Sequence, residues 1–372
     1  MRIALIARRF DPAGGGTERD LIATARALRT AGYDVTIYAA EIRGQTSEFA
    51  VRQVRSLGIG RTLRLLSFAA RAAAEARRDG ASLVFSFARI ANADILRSGG
   101  SAHSIYIRSA RLWQGPVAAA AMRSSPYHRA QIAIERRGFA SPTLKRAIAV
   151  SELVRRDLLS TFGLAAATAV TLYNGVDLER FRPDARAPLR NAVRRVLRLP
   201  ETAPIVAFVG NGFARKGLRF LIEAWPQLRS EAILVVAGSD QSVGKYRRLA
   251  RRRDIAERVR FVGVQAQIER LFAAVDAFAL PSLFEPFGNV VMEAMAAGLP
   301  VLCSSACGAA ELVAPALREL VVADPTDVGE LAARLNALIE AREDLSSIAR
   351  ATAEQFTWES HDANLLRIIR DL

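Results

Sequence analysis

The stretch RIALIA (2–7), DPAGGG (11–16), the helical run Thr17–Thr30, Ala31-Gly32 and VTIYAA (35–40) decides the fold. A short apolar run ends in a glycine turn, a helix follows, and a second apolar run comes after a glycine stop. Strand, turn, helix and strand in that order make a βαβ unit, whose crossover sets the two strands parallel. LVFSFA (83–88) and AIAV (147–150) read as further strands separated by helices. The alternation then restarts with PIVAFVG (204–210), a helix over Leu218–Leu228, ILVVAG (233–238), RVRFVG (258–263), AFALP (277–281) and LPVLCSS (299–305). Two successive runs of βα units predict an α/β chain of two doubly wound, Rossmann-like domains. The turn cluster Tyr173-Asn174-Gly175-Val176-Asp177 marks the boundary, giving a first domain over 1–172 and a second from 173. A length of 372 residues suits two domains.

Composition narrows the class. An apolar fraction of 51% with 24% charged residues excludes a disordered chain. Cys303 and Cys307 are too few for a disulfide framework and lack the partners of a metal site, so they read as small buried residues after a strand. The start, MRIALIARRF, is broken by Arg2, Arg8 and Arg9 and lacks the apolar stretch of a signal peptide. No segment has the length of a membrane span, and the expected location is cytoplasmic. The net charge of +15 is unevenly placed: residues 1–172 hold 26 basic and 12 acidic side chains, residues 173–372 hold 26 and 25. Such an asymmetry predicts an anionic partner for the first half, be it nucleic acid, acidic membrane or phosphorylated substrate, or a plain solvated basic surface. The run KYRRLARRRD (245–254) reads as a solvated helix face.

Three motifs carry chemistry. Gly14-Gly15-Gly16 lies between the first strand and its helix, where glycine lets a ligand approach the backbone and free helix N–H groups favour an anion. The order G-G-G-T-E-R is not the dinucleotide fingerprint G-x-G-x-x-G. Asn211-Gly212-Phe213-Ala214-Arg215-Lys216-Gly217 follows a strand and precedes a helix, so Arg215 and Lys216 can hold a diphosphate at a strand end. Lys216 is one of only three lysines in an arginine-rich chain. The third motif runs from Ser282 to Ala294. Glu285 sits in a loop shaped by Pro286 and Gly288, a helix capped by Asn289 follows, and Glu293 lies one turn inside it. One carboxylate before an anion-binding helix start and another a turn within can hold sugar hydroxyls at one end and ribose hydroxyls at the other.

Glu285 and Glu293, eight apart around Pro-Phe-Gly, resemble the E-x7-E signature of retaining GT-B glycosyltransferases of glycosyltransferase family 4. The Arg215-Lys216-Gly217 turn, the Asn174-Gly175-Val176-Asp177 linker and the glycine loop match that family at the expected places. Thr17-Glu18-Arg19-Asp20 and the later Ile95–His103 segment look most like its lipopolysaccharide-core glucosyltransferases. The resemblance implies a GT-B fold, with a second domain over 173–356 and a helix at 357–372, carrying Trp358, that crosses back to the first. It implies that Arg215 and Lys216 bind the diphosphate and stabilise the leaving nucleotide, Glu293 the ribose and Glu285 a hydroxyl of the transferred sugar. Backbone groups of Phe287, Gly288, Asn289 and Val290 would line phosphate and sugar, Val262-Gly263 would meet the base, and Gly15 and Gly16 would approach from the other domain.

His103 would contact donor or acceptor, or be a satisfied structural histidine; His128 and His361 read as structural or surface residues. Asp20 would bind or deprotonate the acceptor hydroxyl, or serve as a carboxylate favoured by the first helix turn.

The expected activity is retaining transfer of a hexose, glucose favoured, from a UDP-sugar to a hydroxyl of a lipid-linked saccharide, with no cofactor. No Asp-x-Asp metal motif is present, so turnover is expected to be metal-independent. Another nucleotide sugar such as GDP-mannose, with a phospholipid or polyprenyl-linked acceptor, is the alternative, followed by a UDP-sugar epimerase of the same fold. A nucleic-acid binder is disfavoured because the basic half has no recognised motif and few aromatics to stack on bases. Residues 97–137 carry Arg97, Arg108, Arg111, Arg123, Arg129, Arg136 and Arg137 against one acid, Glu135, with Tyr106, Trp113, Met122, Tyr127 and the apolar run Val117–Met122 interleaved. This composition predicts a face for an anionic membrane, the competing reading being that the apolar run is core.

Overall fold

The computed structural model describes every residue of 1–372 apart from Gln45. The chain divides into two compact units, Met1–Asn174 with Trp358–Leu372, and Gly175–Thr357.

The first unit holds seven strands: β1 (Arg2–Phe10), β2 (Asp34–Ile42), β3 (Ala50–Gln53), β4 (Leu83–Ser86), β5 (Ile95–Ser98), β6 (Arg146–Ala149) and β7 (Ala169–Thr171). They form one parallel sheet in the order β3-β2-β1-β4-β5-β6-β7. From Ile3 to Ala7 β1 is uninterrupted apolar sequence because both faces are covered there; Ile3, Leu5 and Ile6 have no exposed surface. The helix Gly16–Thr30 turns Leu21, Ala25 and Leu28 into this core, which Leu365 and Ile369 of the helix Trp358–Arg370 complete.

The second unit holds β8 (Ile205–Val209), β9 (Ile233–Ala237), β10 (Val259–Gly263), β11 (Ala277–Leu280), β12 (Val301–Ser304) and β13 (Val321–Val322), parallel in the order β10-β9-β8-β11-β12-β13.

Several expectations need correction. The sequence reading passed over β3, β5, β7 and β13, which run to four, four, three and two residues. These are too short for a period to show. The helix expected over Leu218–Leu228 stops at Ala224 and closes as a single tight turn over Trp225–Gln227, because Pro226 has no N–H to continue it. The apolar run Val117–Met122 is not core: in the helix Pro116–Ser124 only Ala119 is buried, and Val117 is 81% exposed.

Candidate active site

In the second unit the strand order turns back between β8 and β11, the place where open parallel sheets leave a ligand crevice at the carboxyl ends. The turn after β8 carries Arg215 and Lys216 into the helix Leu218–Ala224. Lys216 is buried, and its stem runs over Gly210, where an added Cβ would lie 2.5 Å from Cδ and Cε. The loop after β11 is tied down by main-chain bonds. Leu283 N donates to Arg215 O at 2.8 Å, Glu285 N to Ala306 O at 2.9 Å, and Gly308 N to Glu285 O at 2.9 Å. Gly288 has φ +93°, and a Cβ there would sit 2.8 Å from Cys307 Sγ, so the loop needs glycine at that point. The Cys307 thiol donates to Phe287 O at 3.0 Å. Burial pushes the Cys303 thiol up to about 12 and the Cys307 thiol well above its ordinary value, so both stay protonated and unreactive.

The two turns meet at one carboxylate. Lys216 Nζ donates to Glu285 Oε2 at 2.5 Å. Arg215 Nη1 donates to the same oxygen at 3.0 Å and to Phe284 O at 2.6 Å. Burial alone would raise the Glu285 carboxyl, but Lys216 and then Arg215 outweigh it and hold the group below the usual carboxylate range. Glu285 is therefore ionised at neutral pH, and its Oε1 accepts no hydrogen bond among the described residues.

The helix Asn289–Ala296 begins four residues after Glu285 and buries Glu293 in its second turn. Asn289 does not cap it; Gly288 occupies the N-cap position and Asn289 is the first helical residue, followed by the half-buried Val290. Phe287 is buried beneath the loop. Val262 and Gly263 stand at the end of the edge strand β10, with Gln265 Nε2 donating to Val262 O at 2.7 Å. Two cations at open strand ends, beside a helix start, suit a diphosphate.

In the first unit Gly15 caps the helix that starts at Gly16. Asp20 lies inside, 4% exposed, and its Oδ2 accepts from Arg97 Nε at 2.5 Å. Arg97 Nη2 donates to Asn174 Oδ1 at 2.6 Å. The expectation of Asp20 as a base therefore needs revision, because its carboxylate is spent on a buried guanidinium. Sequence reading missed Arg97 as the partner of Asp20 and Asn174 as the second acceptor for Arg97; the one available signal was an arginine directly after the apolar pair Ile95-Leu96.

His103 starts the helix His103–Gln114 and is buried against Tyr106 and His128, with ring centroids 5.7 Å and 5.1 Å away. Its Nε2 shares a 2.8 Å hydrogen bond with His128 Nδ1, and its main-chain N donates to Glu135 Oε2 at 2.8 Å. Burial first, then the charges of Arg89 and His128, lower its pKa to about 4. The ring is neutral at neutral pH.

Beside the ends of β1, β4 and β5 a cavity of about 640 Å³ opens at the first sheet's own reversal point, lined by Arg9, Thr17, Glu18, Phe87, Arg89 and Glu135 among others. Its cations are largely neutralised in place, Arg9 by Glu18 and Arg89 by Glu135, each pair at 2.5 Å. The described residues contain no group of three His, Cys, Asp or Glu arranged to hold a metal ion.

Two family models divide most of the chain between them: Glycosyltransferase Family 4 over residues 14–180 and Glycosyl transferases group 1 over residues 190–355. With two parallel-sheet units of this kind, the chain belongs to the glycosyltransferases of family 4 and has the GT-B fold. A solved structure of WaaG, a glycosyltransferase involved in lipopolysaccharide biosynthesis, superposes with a TM-score of 0.83 over 99% of both chains at 24% identity. The Anabaena protein HepE, solved with UDP and glucose, matches with a TM-score of 0.75 over 100% of both chains at 21% identity. Among curated relatives, a GDP-mannose-dependent monoacylated alpha-(1-6)-phosphatidylinositol monomannoside mannosyltransferase of Corynebacterium glutamicum is 33% identical over 59% of this chain. A D-inositol 3-phosphate glycosyltransferase of Mycolicibacterium smegmatis is 31% identical over 57%. The matched stretches span 61% and 50% of those relatives' own lengths.

Proposed function

We propose that the protein transfers a hexose, glucose favoured, with retention of configuration from a UDP-sugar to a hydroxyl of a lipid-linked saccharide such as a lipopolysaccharide core. The observation that carries this reading is the convergence of Arg215, Lys216 and Glu285 beside the helix that holds Glu293. Arg215 and Lys216 take the diphosphate and stabilise the charge that grows on the leaving nucleotide, with no metal ion required. Glu285 Oε1 accepts from a hydroxyl of the transferred sugar, and Glu293 holds the ribose. The main chain from Phe287 to Val290 lines phosphate and sugar, and Val262 and Gly263 meet the base. The acceptor hydroxyl attacks on the face the nucleotide leaves, and the departing phosphate takes its proton, so no protein nucleophile is used. HepE's complex with UDP and glucose supports a uridine donor. The Corynebacterium relative named for GDP-mannose supports the second reading, a mannosyl donor and a phospholipid-linked acceptor.

The acceptor is reached from an anionic membrane surface, on the inner face of the cytoplasmic membrane. Arg108, Arg111, Arg123, Arg129, Arg136 and Arg137 are all exposed, and none makes an ion pair among the described residues. Glu135, the acid of that segment, is buried against Arg89. No helix among the described residues is long and apolar enough to cross a membrane.

A thermal-shift screen of UDP, GDP and ADP, then of their sugars, tests the donor. A ligand at ~100 Kd adds ~2.7 kcal/mol of stability, and no stabilisation by any of them would remove the reading.

A further inference from the structure

The pairing of Glu285 with both cations has a consequence for which ligand the site retains. Without ligand, Lys216 and Arg215 already share a resident anion, and they do so largely out of water: the side chains of Lys216, Glu285 and Arg215 are 9%, 13% and 25% exposed. At this burial the three charges are coupled strongly, because little solvent screens them. Any diphosphate that approaches these cations competes with a carboxylate fixed 2.5 Å from Lys216.

We infer that Glu285 is a specificity-determining counter-anion that makes the site favour an intact nucleotide-sugar over the free nucleoside diphosphate; this rests on the donor-site reading above. The argument is one of partners kept and lost. A nucleoside diphosphate takes Lys216 and Arg215 from Glu285 and offers its carboxylate nothing in return. A nucleotide-sugar also takes the cations, but brings sugar hydroxyls that donate to Glu285, whose Oε1 is free to accept them. The cost of displacing the carboxylate is thus offset only while the sugar is attached. After transfer the sugar is gone, Glu285 again competes for the cations, and the spent nucleotide is weakened in place. The loop favours this exchange because its main chain is pinned at Leu283, Glu285 and Gly308 while the Glu285 side chain alone changes partner.

The experiment is calorimetric titration of the whole chain with UDP, GDP, inorganic pyrophosphate and UDP-glucose, for wild type, Glu285→Gln and Lys216→Ala. The amide keeps the shape of the side chain and removes its charge. Glu285→Gln is expected to bind the free diphosphate tighter than wild type by about fivefold or more, within the usual range of coupling between two ligands of one protein. The preference for UDP-glucose over UDP is expected to shrink together with this gain. Unchanged or weaker diphosphate binding in a folded Glu285→Gln protein overturns the inference, since it would make Glu285 a support for the cations instead of their competitor. If Glu285→Gln does not fold, Glu285→Asp, whose shorter carboxylate withdraws from Lys216, is expected to tighten UDP in the same direction, and no tightening there overturns the inference equally. Failure of the donor-site reading looks different: wild type then binds no diphosphate, or Lys216→Ala binds it as wild type does.

Discussion

Arg97 Nε lies 2.5 Å from Asp20 Oδ2, with the two side chains 1% and 6% exposed, so the first helix and β5 are joined by a salt bridge almost wholly out of water. Among the described residues Asp20 Oδ1 and Arg97 Nη1 have no partner of their own, which makes the pair costly to break and of modest net worth when whole. Asp20→Asn is expected to lower stability by roughly 3–5 kcal/mol, and Asp20→Leu with Arg97→Met together to recover much of that loss. Urea unfolding measures both. An Asp20→Asn protein of normal stability but without turnover would return Asp20 to a catalytic role.

In the second unit, Lys216→Ala and Glu293→Ala are expected to weaken nucleoside diphosphate binding by about 1.5–3 kcal/mol each, the usual value for a lost charged hydrogen bond. Calorimetry reads the change and circular dichroism checks the fold. Full affinity in both variants would remove the assignment.

Leaving-group stabilisation by Arg215 and Lys216 predicts turnover that survives excess EDTA. Activity lost to the chelator and restored by Mg²⁺ or Mn²⁺ would show that the leaving phosphate is neutralised by a metal ion.

The six exposed, unpaired arginines of 108–137 predict binding to anionic but not neutral liposomes, weakening with salt. At ~1 kcal/mol for each basic residue near the surface, Arg108→Glu and Arg111→Glu with Trp113→Ala should release much of the protein in co-sedimentation. Equal partitioning to both lipids, or undiminished binding of the triple variant, would place the membrane face elsewhere.

His103 predicts acid sensitivity with a definite sign. Unfolded, it takes a proton near pH 6.5; folded, burial delays this to about 4. Stability from this group is therefore complete above pH 6.5, falls as the pH drops, and is gone below about 4, at most about 3 kcal/mol in all. A His103→Phe variant should show a flatter dependence of unfolding free energy on pH over that window. A dependence identical to wild type would mean that the ring is protonated without cost.

The parts of this fold that were legible are those where one residue type answers to one local demand. Residues 3–7 of β1 and the whole of β8 read as strands because burial on both faces leaves them continuously apolar, and the glycine turns after them read as strand ends. Arg215, Lys216, Glu285 and Glu293 were legible as a spaced set of charges, but their direct contact was not, since 69 residues separate Lys216 from Glu285. The contact of Asp20 with Arg97 was hidden for the same reason. A carboxylate one turn into a helix looks free until Arg97, 77 residues away, is placed against it. The pairing of His103 with His128 likewise exists only after three short helices have folded the 103–139 segment back on itself.

The first unit is discontinuous in sequence, and this constrains how the chain acquires its structure on the ribosome. Leu365 and Ile369, which fill the core beneath β1, are translated only after the whole of residues 175–357 has emerged. The second unit is one uninterrupted stretch and can close as soon as it is made. The usual order in which an N-terminal domain folds first is therefore reversed at the last step. Until the helix at 358–370 arrives, the nascent first unit exposes the apolar floor of its sheet. A fragment ending near residue 174 would carry that opening permanently, so expression of this half alone calls for the final helix to be rejoined through a short linker.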